Sequence, residues 1–253
     1  MTTVIAFANQ KGGVGKTTFA VQLAYFLRLK KHKTVLVVDM DAQASASETL
    51  LEGETLSSST SQDLFNDDLE EVTVQKTPRG IDLIGSDQSP EGYDVEAIPL
   101  VQAMNPRKHL EKVAKDYDFV IIDCPPSLGR RLAGSLICAD FVICPIKLSG
   151  YAVSGLKNLF GTILQIKKRS NRRLKTLGVA VNEFQDTAAQ REALFAVSQA
   201  IPGLIFQTKI RSRSPIDVAS RGKPICEVRN GQRAAEEMSG LFNEILKRIK
   251  ENA

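Results

Sequence analysis

The 253-residue chain is 43% hydrophobic and 25% charged, an ordinary soluble composition that suits one large domain or two small ones. No apolar run approaches the roughly 18–20 residues of a membrane span, and "MTTVIAFANQ" has neither the cationic region nor the cleavage site of a signal peptide. The charge is unevenly spread: residues 1–140 carry 14 Lys and Arg against 20 Asp and Glu, residues 141–253 carry 19 against 9, and no acid occurs from Phe141 to Asn182. That split fits either a polyanion partner for the second half or a solvated basic face.

In chain order, "TVIAFA" (3–8) reads as a buried strand, followed by a glycine-rich loop and a helix over 17–30. "TVLVVD" (34–39) is a second strand ending in an acid. Residues 52–80 are polar and read as loop and exposed helix, "GIDLIG" (80–85) as a strand that "SDQSPEG" breaks, and "NPRKHLEKVAKDY" (105–117) as a helix with proline near its start. "DFVIIDCPPS" (118–127) is a strand closed by two prolines, and "ADFVICPI" (139–146) another. A helix over 152–168 ends in "KKRSNRR". "TLGVAVN" (176–182) is a strand, 187–200 a helix, "GLIFQT" a short strand, and about 234–250 the last helix. Apolar strands alternating with helices predict a doubly wound, mostly parallel sheet with helices on both faces, as one domain over 1–253. Cys124, Cys138, Cys144 and Cys226 form no C-x-x-C pair and read as thiols in a reducing cytosol. His32 and His109 read as surface histidines.

The stretch "FANQKGGVGKTTFA" carries the chemistry. It follows a strand and opens a helix, the context that makes a phosphate loop credible. Gly12, Gly13 and Gly15 let backbone N–H groups turn around phosphate oxygens, with Val14 and Thr18 within the same cradle. Lys16 would reach the β- and γ-phosphates of ATP and Thr17 would sit on Mg2+. Asp123, ending "FVIID", is the natural second metal residue, held directly or through water. Lys11 is surplus to such a site. Two ammonium groups crowded on one nucleotide repel, so Lys11 either points to a second nucleotide across a homodimer or is a plain surface lysine.

"KGGVGKTT" resembles the deviant Walker A box of the ParA/MinD family of P-loop ATPases, in which the lysine at the place of Lys11 acts across a sandwich dimer. "VLVVDMDAQASAS" is similar to that family's D-x-D-P-Q segment, with Ala42 where the family has proline. The resemblance implies that Asp39 lies near Mg2+ and that Asp41 orients the attacking water. "FVIIDCPPSLG" resembles the Walker B and switch II segment. Asn182, ending its strand, matches a position that meets the adenine edge in the family, and otherwise reads as a turn asparagine.

The resemblance does not by itself separate DNA-partition from MinD-like membrane ATPases. The helix "GLFNEILKRIKENA" is amphipathic, yet its stripe continues the pattern from Met238 and reads as core-packed, so membrane binding is not expected. ParA-like proteins line a DNA face with arginines near the C-terminus. Arg233 is the best match, with Arg211 and Arg213 as helpers, and Lys168 and Arg172 either extend that surface or are a solvated helix end. The chain starts on its first strand with no helix-turn-helix before it, so operator binding is not expected. The implied protein is a cytoplasmic, nucleoid-associated ATPase, closest to the short plasmid and Soj types. It would bind double-stranded DNA without sequence preference and be stimulated by a ParB-like or other cargo adaptor.

Overall fold

The computed structural model describes residues 2–86 and 100–252. The expected break at "SDQSPEG" lies largely outside those residues. A seven-stranded sheet runs through the molecule in the order β3-β4-β2-β5-β1-β6-β7. Its strands are β1 (Thr3–Phe7), β2 (Val35–Asp39), β3 (Gln75–Lys76), β4 (Asp82–Ile84), β5 (Phe119–Asp123), β6 (Phe141–Lys147) and β7 (Lys175–Asn182). Every pairing is parallel except β3 with β4, where a two-residue antiparallel strand closes the edge. The order departs from the sequence at β1, whose neighbours β5 and β6 come later in the chain. That crossover leaves a crevice beyond the carboxyl ends of the strands, where open α/β sheets take ligands.

Alternate residues of the central strands enter two cores. Ile5, Phe7, Val35, Val37, Ile121 and Ile143 face α1 (Lys16–Tyr25), α2 (Ser45–Leu51) and α8 (Gln232–Asn252). Ala6, Leu36, Val38, Val120, Ile122 and Val142 face α3 (Asn105–Val113), α4 (Arg130–Cys138), α5 (Ala152–Arg169) and α6 (Ala188–Ala200). Burial on both faces explains why these strands read as continuous apolar runs. The remaining helix, α7 (Ser214–Ala219), is short. The stripe of α8, through Met238, Leu241, Phe242 and Ile245, is at most 1% exposed. That face is spent on the core, and no helix among the described residues is long and apolar enough to cross a membrane.

Three expectations differ from the structure. "GLIFQT" forms only an isolated bridge between Ile205 and Val179. Past it, the backbone N–H groups of Gln207 and Thr208 donate to the Glu244 carboxylate instead of to a strand, and Arg248 donates to the carbonyls of Leu177, Leu204 and Ile205. Side chains of α8 thus replace the ladder. The helix read as 17–30 changes to π-type turns at Phe26–Lys30. His109 is 1% exposed rather than on the surface, with a ring nitrogen 3.1 Å from the Asn66 carbonyl.

Candidate nucleotide site

The loop between β1 and α1 opens at the carboxyl edge of the sheet. Gly13 and Gly15 take positive φ of 68° and 99°, which side chains rarely adopt. A Cβ on Gly12 or Gly13 would meet nothing within 4 Å, so the loop faces open space. A Cβ on Gly15 would lie 2.4 Å from the Asn182 amide nitrogen, because Asn182 reaches across from β7 to donate to the Val14 carbonyl at 3.0 Å. Asn182 therefore buttresses the loop, a role that its sequence position did not announce.

Behind the loop, strand register sets the acids. Asp39 and Asp123 end neighbouring strands and pair directly across β2 and β5. Both are fully buried. The Thr17 hydroxyl donates to one Asp123 oxygen at 2.6 Å, and the other Asp123 oxygen has no hydrogen-bond partner. Asp39 is better satisfied: one oxygen accepts from the Asp41 backbone at 3.1 Å, the other from the Ser47 backbone at 2.8 Å and the Ser47 hydroxyl at 2.7 Å. Burial pushes both carboxyls up, and for Asp123 the Asp39 charge adds to the effect. Lys16 is 6% exposed and makes no ion pair among the described residues.

This arrangement fits a magnesium–nucleotide. Two buried acids side by side want a cation, the orphaned Asp123 oxygen and the Thr17 hydroxyl offer hard oxygen ligands, and unpaired Lys16 wants an anion. Since Asp39 already accepts three hydrogen bonds, its fit is to metal-bound water. Asp41 is half-buried, with one oxygen accepting from Gln43 N–H in a tight turn at 3.1 Å. The turn leads to Ala44 at φ 53°, a left-handed conformation unusual for alanine. Lys11 is exposed, and its side chain has no partner among the described residues. Its backbone N–H is held by Asn9 at 2.9 Å.

Comparison with known proteins agrees with this geometry. Residues 2–176 match the family model described as an AAA domain, AAA_31. The chain is 32% identical over 250 residues to the sporulation initiation inhibitor protein Soj of Bacillus subtilis, covering 97% of this chain and 98% of Soj. It is 32% identical over 256 residues to the chromosome partitioning protein ParA of Myxococcus xanthus, covering 97% and 88%. The chain belongs to the ParA/Soj family of P-loop ATPases. A Mycobacterium smegmatis structure described as cobyrinic acid a,c-diamide synthase, solved with ADP and magnesium, superimposes with a TM-score of 0.73 at 30% identity, covering 87% of this chain and 91% of that one.

The residues expected to meet DNA do not share one surface in this ParA/Soj member. Arg211 bridges to Phe184 just beyond the carboxyl end of β7. Arg213 is paired with Glu237 of α8 at 2.7 Å. Arg233 is exposed in the first turn of α8, one turn before Glu237. Lys168 lies in the last turn of α5 and Arg172 between α5 and β7, at the opposite end of the sheet. Sequence reasoning missed Ser47, whose hydroxyl also accepts from Ser86 N–H at 2.8 Å and so ties Asp39 to the segment after β4. A serine eight residues past the acid carries no motif of its own.

Proposed function

We propose that this chain is a Mg2+-dependent ATPase of the partition type. ATP-bound copies pair as a homodimer through the carboxyl edge of the sheet, and the dimer binds duplex DNA without sequence preference. An adaptor of the ParB kind stimulates hydrolysis, and repeated cycles position a plasmid, a chromosome origin or a protein cargo. The observation that carries this reading is the pairing of an internal site (Lys16, Thr17, Asp39 and Asp123) with an exposed Lys11 whose side chain has no partner among the described residues and which that site does not use.

Magnesium, with Thr17 and Asp123 as its protein oxygens, would neutralise charge on the β- and γ-phosphates. Lys16 draws in the same phosphates from its buried position. Lys11 reaches the partner copy's nucleotide and stabilises charge on the transferred phosphoryl group, as an arginine finger does in trans. Asp41 orients the water. No strong general base pairs with it among the described residues, so hydrolysis by the protein alone is expected to be slow. Arg233, with Arg211 and Arg213 nearby in the chain fold, meets DNA phosphates and gives the affinity its salt dependence.

The test is binding to a random-sequence duplex with ADP, ATP and a slowly hydrolysed analogue, across salt, for wild type, Lys11→Ala and Arg233→Ala. Binding that ATP tightens, with that ATP-dependent gain lost in both variants, is expected. Equal binding in ADP and ATP by the Arg233 surface would overturn the cycle. Asp41→Ala should give an ATP-locked dimer that stays on DNA; failure of that variant to bind ATP would remove the assigned role of Asp41.

A further inference from the structure

The amino end of the sheet carries a second concentration of positive charge. Residues 167–175 hold six Lys or Arg and no acid, and residues 30–33 add three lysines. Backbone and side-chain bonds bring these segments to one edge. Thr3 N–H donates to the Asp118 carbonyl, Asp118 N–H to Thr34, and Lys175 N–H to the Asp140 carbonyl. A groove of about 980 Å³ opens there, lined among others by Arg107, Lys115, Arg173 and Lys175.

Of the four acids that line this groove, Glu111 and Asp118 are ion-paired, while Asp116 is exposed with no ion pair among the described residues. Lys33 pairs with Asp118 at 3.0 Å, and Arg107 with Glu111 at 2.9 Å. The Asp140 carboxylate accepts from Val4 N–H at 2.9 Å, and burial pushes its pKa up. Among the described residues, Lys168, Arg172 and Arg173 have no ion-pair partner and are exposed. Lysines in the last turn of a helix offset its dipole, which accounts for Lys167 and Lys168. It does not account for Arg172, Arg173 and Lys175, which follow the helix.

The turn that presents the two arginines is rigidly built. Asn171 is 3% exposed and donates to the carbonyls of Leu136 at 2.9 Å and Ala139 at 2.6 Å. Leu174 is fully buried. Anchored on both sides, the turn presents Arg172 and Arg173 from a fixed backbone, so a ligand has only their side chains to order. The exposed apolar side chains near this edge are Leu29 at 37% and Leu164, one turn before Lys168 on α5, at 55%, too few for a continuous lipid-facing patch.

We infer that this edge is a second phosphate-backbone surface for duplex DNA, centred on the Lys168–Arg172–Arg173 turn and separate from the Arg233 surface. The eight residues of β7 span roughly 25 Å between the two. The edge lies away from the nucleotide, so the contacts that each copy makes there do not depend on the nucleotide state. It holds the chain near DNA when the ATP-dependent surface has let go. The inference rests on the DNA-binding reading above only in its choice of polyanion.

The test is anisotropy on a random-sequence duplex across a salt series, in ADP and in a slow ATP analogue. Wild type is compared with Arg233→Ala and with the triple variant Lys168→Ala, Arg172→Ala, Arg173→Ala, whose folds are checked by thermal melting. The triple variant should flatten the slope of log K against log salt by about 2 to 3 in both nucleotide states, since each phosphate that goes without its cation takes about 0.9 from the slope. Arg233→Ala should act in the ATP state alone. Absence of salt-dependent binding in ADP, or an unchanged slope in the triple variant, overturns the second surface and leaves the Arg233 reading standing. A flatter slope in the triple variant with no effect of Arg233→Ala does the reverse. Sedimentation with phosphatidylglycerol vesicles in preference to the duplex also overturns it.

Discussion

At the carboxyl end of the strands, Lys16, Asp39, Asp123 and Asn182 are at most 6% exposed, and unpaired polar atoms of Asp123 and Asn182 sit under a glycine loop with positive φ. At the amino end, Arg172 and Arg173 stand in solvent on a turn whose buried Asn171 amide group donates two hydrogen bonds. The same sheet thus ends in two kinds of chemistry. Buried, unsatisfied groups have narrow geometry and large consequences, since each is worth most in a low dielectric. Exposed cations act by number and are screened by salt. Substitutions at the first end should act one at a time and severely, and those at the second in sum and mildly.

The largest effects are expected from Lys16→Ala and Asp123→Asn. Each should lower ATP turnover by about 100-fold or more, and Asp123→Asn should also abolish the rise in melting temperature that magnesium gives together with ATP. A variant that keeps the magnesium-dependent rise would remove Asp123 from the metal site. Next comes Gly15→Ala, which forces φ of 99° on a side chain and drives its Cβ into the Asn182 amide. Strain of this kind costs about 1–3 kcal/mol, or a fall in Tm of about 2–10 °C for a chain of this size. Adding Asn182→Ala should relieve the clash but not the backbone strain. Full recovery in the double variant would show that φ carries no cost there.

This division also governs what could be read from the sequence. The loop, Asp39 and Asp123 were legible because their spacing is set by local geometry: a strand, a glycine turn and a helix in one stretch, and acids ending apolar runs. The role of Asn182 as a buttress was not legible, since it depends on β7 lying within reach of Val14, 168 residues away. Helix α4 escaped notice because "RRLAGSLIC" is short, contains glycine and buries Arg131 completely, which defeats an apolar count. The false strand at "GLIFQT" had the right composition, and Glu244 and Arg248 from a distant helix took its backbone partners. The basic run at 167–175 was plain as composition, but its distance from Arg211 and Arg233 emerges only once β7 is seen to separate them.

The smallest effect sharpens the comparison most, because it concerns exposed charge at the carboxyl end. Glu237 lies one helical turn after Arg233 on α8, and its carboxylate accepts from Arg211 N–H at 3.1 Å and from Arg213 Nη2 at 2.7 Å. It therefore neutralises one cation of the proposed ATP-dependent DNA surface while fixing the backbone that carries another. Glu237→Gln keeps the shape and removes the charge. The released Arg213 should neutralise one further phosphate, steepening the salt slope by about 1 and tightening DNA binding a few-fold at low salt, in the ATP state only. Stability should hardly change, since the pair is part-exposed and such pairs contribute little. If the slope steepens equally in ADP, the Arg213 surface does not depend on the nucleotide, and the two ends of the sheet differ in position alone.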